Sequence, residues 1–189
     1  MNNLPENIRK DQKMMVKIKY LFEEYVNECM NFVQTQPMVP TTKEHMIHCM
    51  MKLLNCQINR FMEVNHPDKF ENCLVDIFHW CLVWSIANQL NLDERNKFNV
   101  FMRDMCMKKM RKVFPEEGTV YDYHYDMKNM CFVNYSDMCE FNERNLVCDM
   151  VVPTKDFVRN MNLAEMLVNN NCPVLFMGPM SSGKSLLCQ

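Results

Sequence analysis

Glycine is scarce in this chain, and its distribution constrains the fold more than any other feature. The 189 residues include three glycines, and two of them lie in one octapeptide, Gly178-Pro179-Met180-Ser181-Ser182-Gly183-Lys184-Ser185. This segment has the form Gly-x-x-x-x-Gly-Lys-Ser, the pattern of a phosphate-binding loop (P-loop). A backbone that curls around a phosphate needs glycine where φ is positive or the chain approaches closely. The octapeptide therefore predicts such a loop between a strand and a helix.

Each fixed position of the octapeptide has a chemical role in nucleotide binding. We expect Lys184 to place its ammonium group on the β- and γ-phosphates, and Ser185 to offer its hydroxyl to Mg²⁺. The helix expected to start near Lys184 directs its positive N-terminal end at the phosphates. The ligands would be ATP or ADP with Mg²⁺; the alternative is a flexible glycine turn beside an ordinary surface lysine. The candidate phosphate-binding residues are Gly178, Pro179, Met180, Ser181, Ser182, Gly183, Lys184 and Ser185.

The residues before the octapeptide fit this prediction, but those after it are too few for a whole domain. Pro173-Val174-Leu175-Phe176-Met177 is a short apolar run, which predicts a strand buried on both faces. A P-loop fold also needs further parallel strands and an acidic residue that holds the metal water. The sequence stops at Gln189, four residues after Ser185. We therefore expect a fragment of a nucleotide-binding domain, without ATP turnover of its own.

The first 113 residues have the apolar periodicity of helices. One helix is predicted from Asp11 to Gln34, and Thr41-Thr42-Lys43-Glu44 has the form of a capping box that starts a second. A third, roughly Asp68 to Leu90, is apolar nearly all round and is expected to be central. Asn91 or Asp93 is expected to cap a fourth. The apolar stripe predicted for the first helix is Met14, Ile18, Leu21, Phe22, Tyr25, Cys29, Phe32 and Val33.

Alternating aromatic residues indicate a change to β-structure after the helices. Val120–Tyr125 and Met130–Tyr135 predict a hairpin about a Met127-Lys128-Asn129 turn. Its tyrosines at 121, 123 and 125 share a face, which either packs on a helix or stacks on a base. A further short helix is expected after Thr154, stopped by Asn169-Asn170-Asn171.

Composition excludes several classes of function. The net charge is -2, so no basic field attracts nucleic acid or anionic lipid. The most apolar run, Leu74 to Ala87, is shorter than the roughly 20 residues that span a bilayer. Eleven cysteines without a Cys-x-x-Cys pair or a signal peptide are expected to be reduced and mostly buried. His45, His48 and Cys49 share a helical face, but no fourth metal ligand has evident spacing.

The chain resembles the motor region of dynein heavy chains, most closely the axonemal type, over most of its length. The resemblance rests on segments that occur in the family's order, and it is specific because the P-loop stands at its end. The chain departs from the family pattern at four places: Ser181 replaces a third loop glycine, Ile86-Ala87-Asn88 stands where the family has a glycine pair, Phe132 and Tyr135 replace two hairpin tryptophans, and Phe157 replaces a threonine of the family's Val-Pro-Thr box. The matching segments are Phe78–Ser85, Lys97–Arg103, Phe114–Tyr123, Val152–Arg159 and Pro173–Pro179.

The resemblance implies a position at the junction of the second and third AAA+ modules of the motor ring. Residues 1–113 would be the helical lid or extension, residues 114–150 a β-hairpin connector, and residues 151–189 the start of the nucleotide-binding domain. Val152, Pro153 and Thr154 would then border the adenine. The expected fold is mainly α with a small β-hairpin, leading into the first strand and P-loop of an incomplete α/β AAA+ domain.

The resemblance also implies a function, which is nucleotide-dependent microtubule movement in cilia and flagella through a regulatory ATP site. The implied partners are the remainder of the dynein AAA+ ring, microtubules and the dynein intermediate and light chains, without nucleic acid or membrane. The implied location is the cytoplasm and cytoskeleton, in the axoneme. The alternative is a non-catalytic helical interaction module from a truncated or decaying dynein gene copy. A third hypothesis is that the chain belongs to a different P-loop ATPase.

Overall fold

The computed structural model describes residues 6–36, 41–64, 69–109, 113–139, 152–177, 180 and 183–188. The chain divides into two compact units, Met1–Phe132 and Val133–Gln189, and each is described by itself. The expected mainly helical architecture with one small hairpin is confirmed. Among the described residues, no helix is both long and apolar enough to cross a membrane.

Helices make up most of the first unit, and one antiparallel hairpin follows them. One π turn interrupts the N-terminal helix and another ends the fifth helix, and in each one extra residue is inserted into the helical repeat. The helices are α1 (Glu6–Lys10), α2 (Gln12–Leu21), α3 (Asn27–Gln34), α4 (Lys43–Val64), α5 (Phe70–Leu82) and α6 (Leu92–Lys108). The π turns are Phe22–Val26, between α2 and α3, and Val83–Ala87, after α5.

Polar side chains begin the helices by accepting hydrogen bonds from amides of the first turn. Asn91 caps α6, because its Oδ1 accepts from the Glu94 amide at 2.9 Å. For α4 the expected capping residue is off by one position. Thr42 is the cap, with its Oγ1 accepting from the His45 amide at 3.2 Å. The Thr41 side chain is instead directed at Gln89, and its hydroxyl donates to Gln89 Oε1 at 2.6 Å.

The first π turn adjusts the face that the N-terminal helix buries. In α2 the buried positions are Met14, Ile18 and Leu21. Successive residues of a straight α-helix are rotated by about 100° about its axis. The extra residue in the π turn therefore rotates α3 backward by about that angle relative to α2. As a result Val26 and Met30 are buried, whereas the predicted stripe had Phe22 and Phe32, which are only half-buried. Periodicity alone did not anticipate this offset.

Helix α5 is central, as the sequence predicts. Its residues are buried nearly all round, and it lies against both α4 and the hairpin. Trp80 is fully buried and its indole Nε1–H donates to the Tyr123 carbonyl at 3.0 Å. In the second π turn, Trp84 packs edge to face against Tyr121, with 5.9 Å between the ring centroids. Aromatic packing therefore attaches the hairpin segment to this helix.

A tight turn between α6 and the hairpin is held by two side chains. Gly118 has φ 63°, and the Asp122 carboxylate accepts from the Thr119 amide at 2.7 Å and its hydroxyl at 2.9 Å. From α6, the Arg103 guanidinium donates to the carbonyls of Pro115 at 2.7 Å and Gly118 at 3.1 Å. These bonds satisfy backbone groups that no regular element uses.

The hairpin is present but shorter than predicted. Strand β1 is Tyr123–Asp126 and strand β2 is Cys131–Asn134. The predicted strand began at Val120, but residues 120–122 belong to the turn described above. The connecting turn ends at Met130, which has φ 52°. The tyrosines at 121, 123 and 125 are all buried, so packing is the correct alternative and base stacking is not.

The described residues of the second unit form one long helix and two short 3₁₀ turns. These are Tyr135–Met138, α7 (Lys155–Asn169) and Leu186–Cys188. Helix α7 ends where the sequence predicts. Asn171 has φ 55°, its amide donates to the Val168 carbonyl and the Cys172 amide to the Leu167 carbonyl, both at 2.9 Å. This bond pair is a Schellman motif, with asparagine in the left-handed position that glycine usually takes.

Candidate functional site

The octapeptide is described in part. Met180, Gly183, Lys184 and Ser185 are described, and the other four residues, Gly178, Pro179, Ser181 and Ser182, lie outside the described residues. Met180, Gly183 and Ser185 are exposed, and Lys184 is half-buried. The structure therefore shows the C-terminal half of the predicted loop at the surface of the second unit.

Gly183 has the conformation that a phosphate loop requires. Its φ is 80°, and a Cβ built there would meet no atom within 4 Å. Backbone conformation, and not lack of space, is therefore what favours glycine at this position. Helical hydrogen bonding begins immediately, since the amides of Leu186 and Leu187 donate to the Gly183 carbonyl at 3.1 and 3.3 Å. The expected helix start near Lys184 is seen as the 3₁₀ turn.

The segment before the octapeptide differs from its prediction. Among the described residues no strand pairs with residues 173–177, and they belong to no helix or strand. Leu175 and Met177 are 79% and 75% exposed, and Phe176 between them is half-buried. The expected burial on both faces is therefore not observed. The physical reason is that a parallel strand is covered only by neighbouring strands and by helices on both faces, which the described residues do not provide.

The three residues expected on the adenine side form the start of α7. The Thr154 amide donates to the Val152 carbonyl at 2.8 Å, so Pro153 lies at the centre of a three-residue γ-turn. Thr154 Oγ1 accepts from the Phe157 amide at 3.3 Å and caps the helix. The Val152 side chain is 63% exposed. This geometry uses the Thr154 hydroxyl for the helix and presents Val152 at the surface.

The other candidate constellations do not form sites. His45 Nε2 lies 3.4 Å from Cys49 Sγ, but in the described part of the chain no three His, Cys, Asp or Glu side chains could hold a metal ion. The ten cysteines whose positions are described are all free, and five of them are buried. These ten therefore form no disulfide with one another, and half of them are buried, fewer than the expected majority.

One residue that the sequence does not single out makes an unusual set of contacts. Lys109 directly follows Lys108, the last residue of α6. Its Nζ donates to the Glu24 carbonyl at 2.6 Å and lies 4.1 Å from the Tyr25 ring centroid. Glu24 and Tyr25 are in the first π turn, which periodicity had not predicted. No local signal in the sequence links these distant segments.

Two family models match consecutive parts of the chain. Residues 18–137 match the dynein heavy chain AAA lid domain. Residues 139–189 match the P-loop containing dynein motor region. The boundary between the two matches lies close to the division of the structure into two units. The helices α3 to α6 and the hairpin thus lie within the lid match, and α7 and the octapeptide lie within the motor-region match.

Curated relatives give the same result. The human dynein axonemal heavy chain 3 is 24% identical over 99% of this chain, and the mouse dynein axonemal heavy chain 1 is 26% identical over 90%. The rat dynein axonemal heavy chain 12 is 29% identical over 58% of this chain. The chain spans about 5% of the length of the first two relatives and 4% of the third.

The two matches together describe a helical lid followed by a P-loop motor region. The chain belongs to the dynein heavy chain family, as a segment of the axonemal motor type.

Proposed function

We propose that the chain forms the junction between a helical lid and a regulatory nucleotide site of a dynein-type AAA+ ring. In this proposal residues 1–113 are the lid or extension, residues 114–150 the connector and residues 151–189 the start of the nucleotide-binding domain. The phosphates of ATP or ADP bind to Gly178 through Ser185. Lys184 neutralises the β- and γ-phosphates, and Ser185 ligates Mg²⁺.

The single observation that supports this site best is the left-handed backbone conformation of Gly183, next to Lys184. A left-handed glycine with open space over its Cα allows the backbone to pass close to a phosphate. A helical turn begins there, because the Leu186 and Leu187 amides donate to the Gly183 carbonyl, and the N-terminal end of a helical turn favours an anion. Lys184 then adds a full positive charge at the same place.

The length of α7 supports a shared site for the loop and for Val152–Thr154. Fifteen helical residues are about 22 Å long, so the ends of α7 are that far apart. The seven residues from Asn171 to Met177 can span about 23 Å when extended, which is enough to return along the helix. The 3₁₀ turn after the loop already contacts α7. Val152 could then cover the adenine while the loop holds the phosphates.

Ser181 bears on how tightly this loop binds. A third glycine is replaced by a residue with a Cβ in a curl that brings several amides inward. We therefore expect weaker binding than a three-glycine loop would give, and expect Ser181→Gly to tighten it. This expectation concerns affinity, since Lys184 and Ser185 keep their roles.

The proposal extends to the protein in which this segment functions. The remainder of a dynein ring would supply the metal-water carboxylate and the neighbouring arginine that hydrolysis needs. Microtubules and the intermediate and light chains would be partners of that assembly, in the axoneme of a cilium or flagellum. The 189-residue chain is expected to bind nucleotide without turnover. Steady phosphate release above that of Lys184→Ala would contradict this.

A titration with a fluorescent ADP analogue tests the site directly. The chain, Lys184→Ala and Lys128→Ala are compared with and without Mg²⁺. Lys128 is an exposed lysine of the hairpin turn, so Lys128→Ala removes the same charge at a position outside the octapeptide. We expect saturable, Mg²⁺-dependent binding that Lys184→Ala weakens at least about tenfold, the loss of about 1.4 kcal/mol of binding free energy, and Lys128→Ala leaves unchanged. Equal binding by both variants, or none by the chain, would exclude the proposed site.

A further inference from the structure

The solvent face of α2 combines lysines with exposed apolar side chains. Val16 is 66% exposed and Tyr20 is 50% exposed, and residues four apart lie together on one side of an α-helix. Because successive residues are rotated by about 100°, Lys13 and Lys17 lie on one side of this pair and Lys19 on the other. We call Lys13, Val16, Lys17, Lys19 and Tyr20 the α2 basic face. The buried residues of α2 lie on the opposite side, so this face is directed away from the core.

Positive charge is concentrated around this face. Residues 9–20 contain five basic side chains and one acidic one, although the whole chain has 21 basic and 23 acidic residues. The acidic residue, Asp11, caps α2, because its Oδ1 accepts from the Met14 amide at 3.1 Å. The α2 basic face is therefore a local positive surface on a chain whose net charge is -2.

The acidic groups near the face do not neutralise it. Lys13 Nζ pairs with Glu71 Oε2 at 2.9 Å, and Lys17 Nζ lies 3.7 Å from Glu71 Oε1, so one carboxylate serves two ammonium groups. The Lys13 side chain is 77% exposed, so water screens its ion pair and the ammonium keeps room for a second partner. Within the described residues, Lys19 forms no ion pair, although Glu23 follows it by one turn. Lys13 and Lys19 are thus both able to contact an additional anionic group.

We propose that the α2 basic face binds an acidic peptide segment of a partner protein. Lys13 and Lys19 contact carboxylates of the segment from two sides, and one of its apolar side chains packs on Val16 and Tyr20. This exposed apolar pair distinguishes the surface from an ordinary solvated helix face, whose residues are polar. Ten helical residues are about 15 Å long, which matches about five residues of an extended segment.

The size and surroundings of the face favour a short peptide over a lipid surface or a nucleic acid. A membrane-bound helix inserts a continuous apolar face, whereas the apolar face of α2 is already buried in the protein. A nucleic acid would extend well beyond α2, over a chain whose remaining residues carry net negative charge and repel it. A short acidic segment avoids both costs, and its binding does not depend on the nucleotide site.

Fluorescence anisotropy with a fluorescein-labelled peptide of two Glu-Glu-Leu-Glu-Glu repeats tests the proposal on the whole chain. We expect saturable binding that the double variant Lys13→Gln/Lys19→Gln weakens at least about fivefold, because two exposed charge contacts are lost. The matched control is Lys97→Gln/Lys108→Gln on α6, since Lys97 is likewise exposed and ion-paired and Lys108 is likewise exposed. This control should bind the peptide as the unchanged chain does.

A second pair of variants tests the apolar part of the face. Val16→Ser should weaken binding severalfold, whereas Val100→Ser, at a position of α6 that is 58% exposed, should leave it unchanged. The same peptide with glutamine in place of glutamate should not bind. Raising the salt concentration from about 0.05 M to 0.5 M should weaken binding of the acidic peptide, because the charge contacts are screened.

Four outcomes would overturn the proposal. The first is the absence of saturable binding by the unchanged chain. The second is equal weakening by the two double variants, which indicates a general charge effect. The third is equal binding by Val16→Ser and Val100→Ser, which removes the apolar contact. The fourth is binding to phosphatidylserine vesicles that is tighter than binding to the peptide and is lost in Lys13→Gln/Lys19→Gln, which makes the face a membrane contact.

Discussion

The two units of this chain bury their apolar residues to very different degrees. In the first unit, α5 and its neighbours enclose large side chains such as Trp80, Phe61 and Phe98 completely. In the second unit, Leu175, Met177 and other large apolar residues remain exposed among the described residues. The second unit, however, carries the only octapeptide in the sequence with specific ligand chemistry.

The difference shows that a sequence can specify packing and chemistry in separate segments. The first unit satisfies its own apolar surface and its turn carbonyls with its own side chains. The second unit has well-formed local structure, with a capped α7 and a left-handed Gly183, but little core. Its local geometry is therefore set by short-range hydrogen bonds, which do not depend on a large buried area.

The largest expected effect is a core truncation in the first unit. Trp80→Ala should lower the free energy of unfolding by about 3–5 kcal/mol, because it leaves a large cavity and an unpaired Tyr123 carbonyl. Leu175→Ala, in the second unit, should change it by no more than about 0.5 kcal/mol, because that side chain is already exposed. Urea denaturation followed by circular dichroism measures both. Similar losses for the two variants would remove the contrast between the units.

The two left-handed glycines provide a sharper version of the comparison. Gly118→Ala should cost about 2–3 kcal/mol, because φ is 63° and the new Cβ would lie 2.7 Å from Asp122 Oδ2. Gly183→Ala meets no atom, so it should cost about 1–2 kcal/mol of local strain and act mainly on nucleotide binding. Unfolding and nucleotide titrations of both variants separate the effects. A larger loss of stability for Gly183→Ala would contradict this assignment.

A half-buried carboxylate makes the first unit sensitive to pH. Burial raises the pKa of Asp76 to about 6 in the folded chain, above its unfolded value near 3.8. The stability that the protonated carboxyl contributes is therefore fully present below pH 3.8 and is lost as the pH rises through 6. Asp76→Asn should therefore stabilise the chain by about 1 kcal/mol at pH 7 and have no effect near pH 3.5. This figure is below the full linkage value because the side chain is partly screened by solvent. Melting curves at several pH values test it, and a gain that is constant with pH would contradict it.

The smallest expected effect concerns the start of α7. Thr154→Ala removes the hydroxyl that accepts from the Phe157 amide, which should cost about 0.5–1 kcal/mol and fray the first turn. Hydrogen exchange at residues 157–159 should become faster, while exchange in α6 behind its own cap Asn91 stays unchanged. Thr154→Ser is the matched variant that keeps the acceptor. If Ser and Ala behave alike, the cap does not hold this helix.

Local signals in the sequence predicted most of the helical framework. Apolar periodicity located the long helices, and Asn91 and Asn169-Asn170-Asn171 marked two of their ends. Three features depend on contacts that are distant in sequence and were missed. Thr41 bonds Gln89, the π turn adapts α3 to the core and to Lys109, and Arg103 holds the turn that shortens the hairpin.

The candidate site was predictable in its chemistry but not in its packing. The octapeptide identifies Lys184 and Ser185 without any structure, because phosphate and Mg²⁺ binding require a short, fixed pattern. The apolar run of residues 173–177 also predicted a strand, but a strand is stabilised by neighbours, and hydropathy cannot say where those neighbours are. The run is therefore exposed in this structure, although the P-loop pattern that follows it in the sequence is complete.

The most direct test of the central claim is a backbone NMR titration of the chain with Mg²⁺ and ADP. We predict amide shifts at Gly183, Lys184 and Ser185, together with smaller shifts at Val152 and Thr154, and none in the hairpin Tyr123–Asn134. Shifts that appear in the hairpin or the helices of the first unit but not at Gly183 to Ser185 would contradict a nucleotide site in this loop.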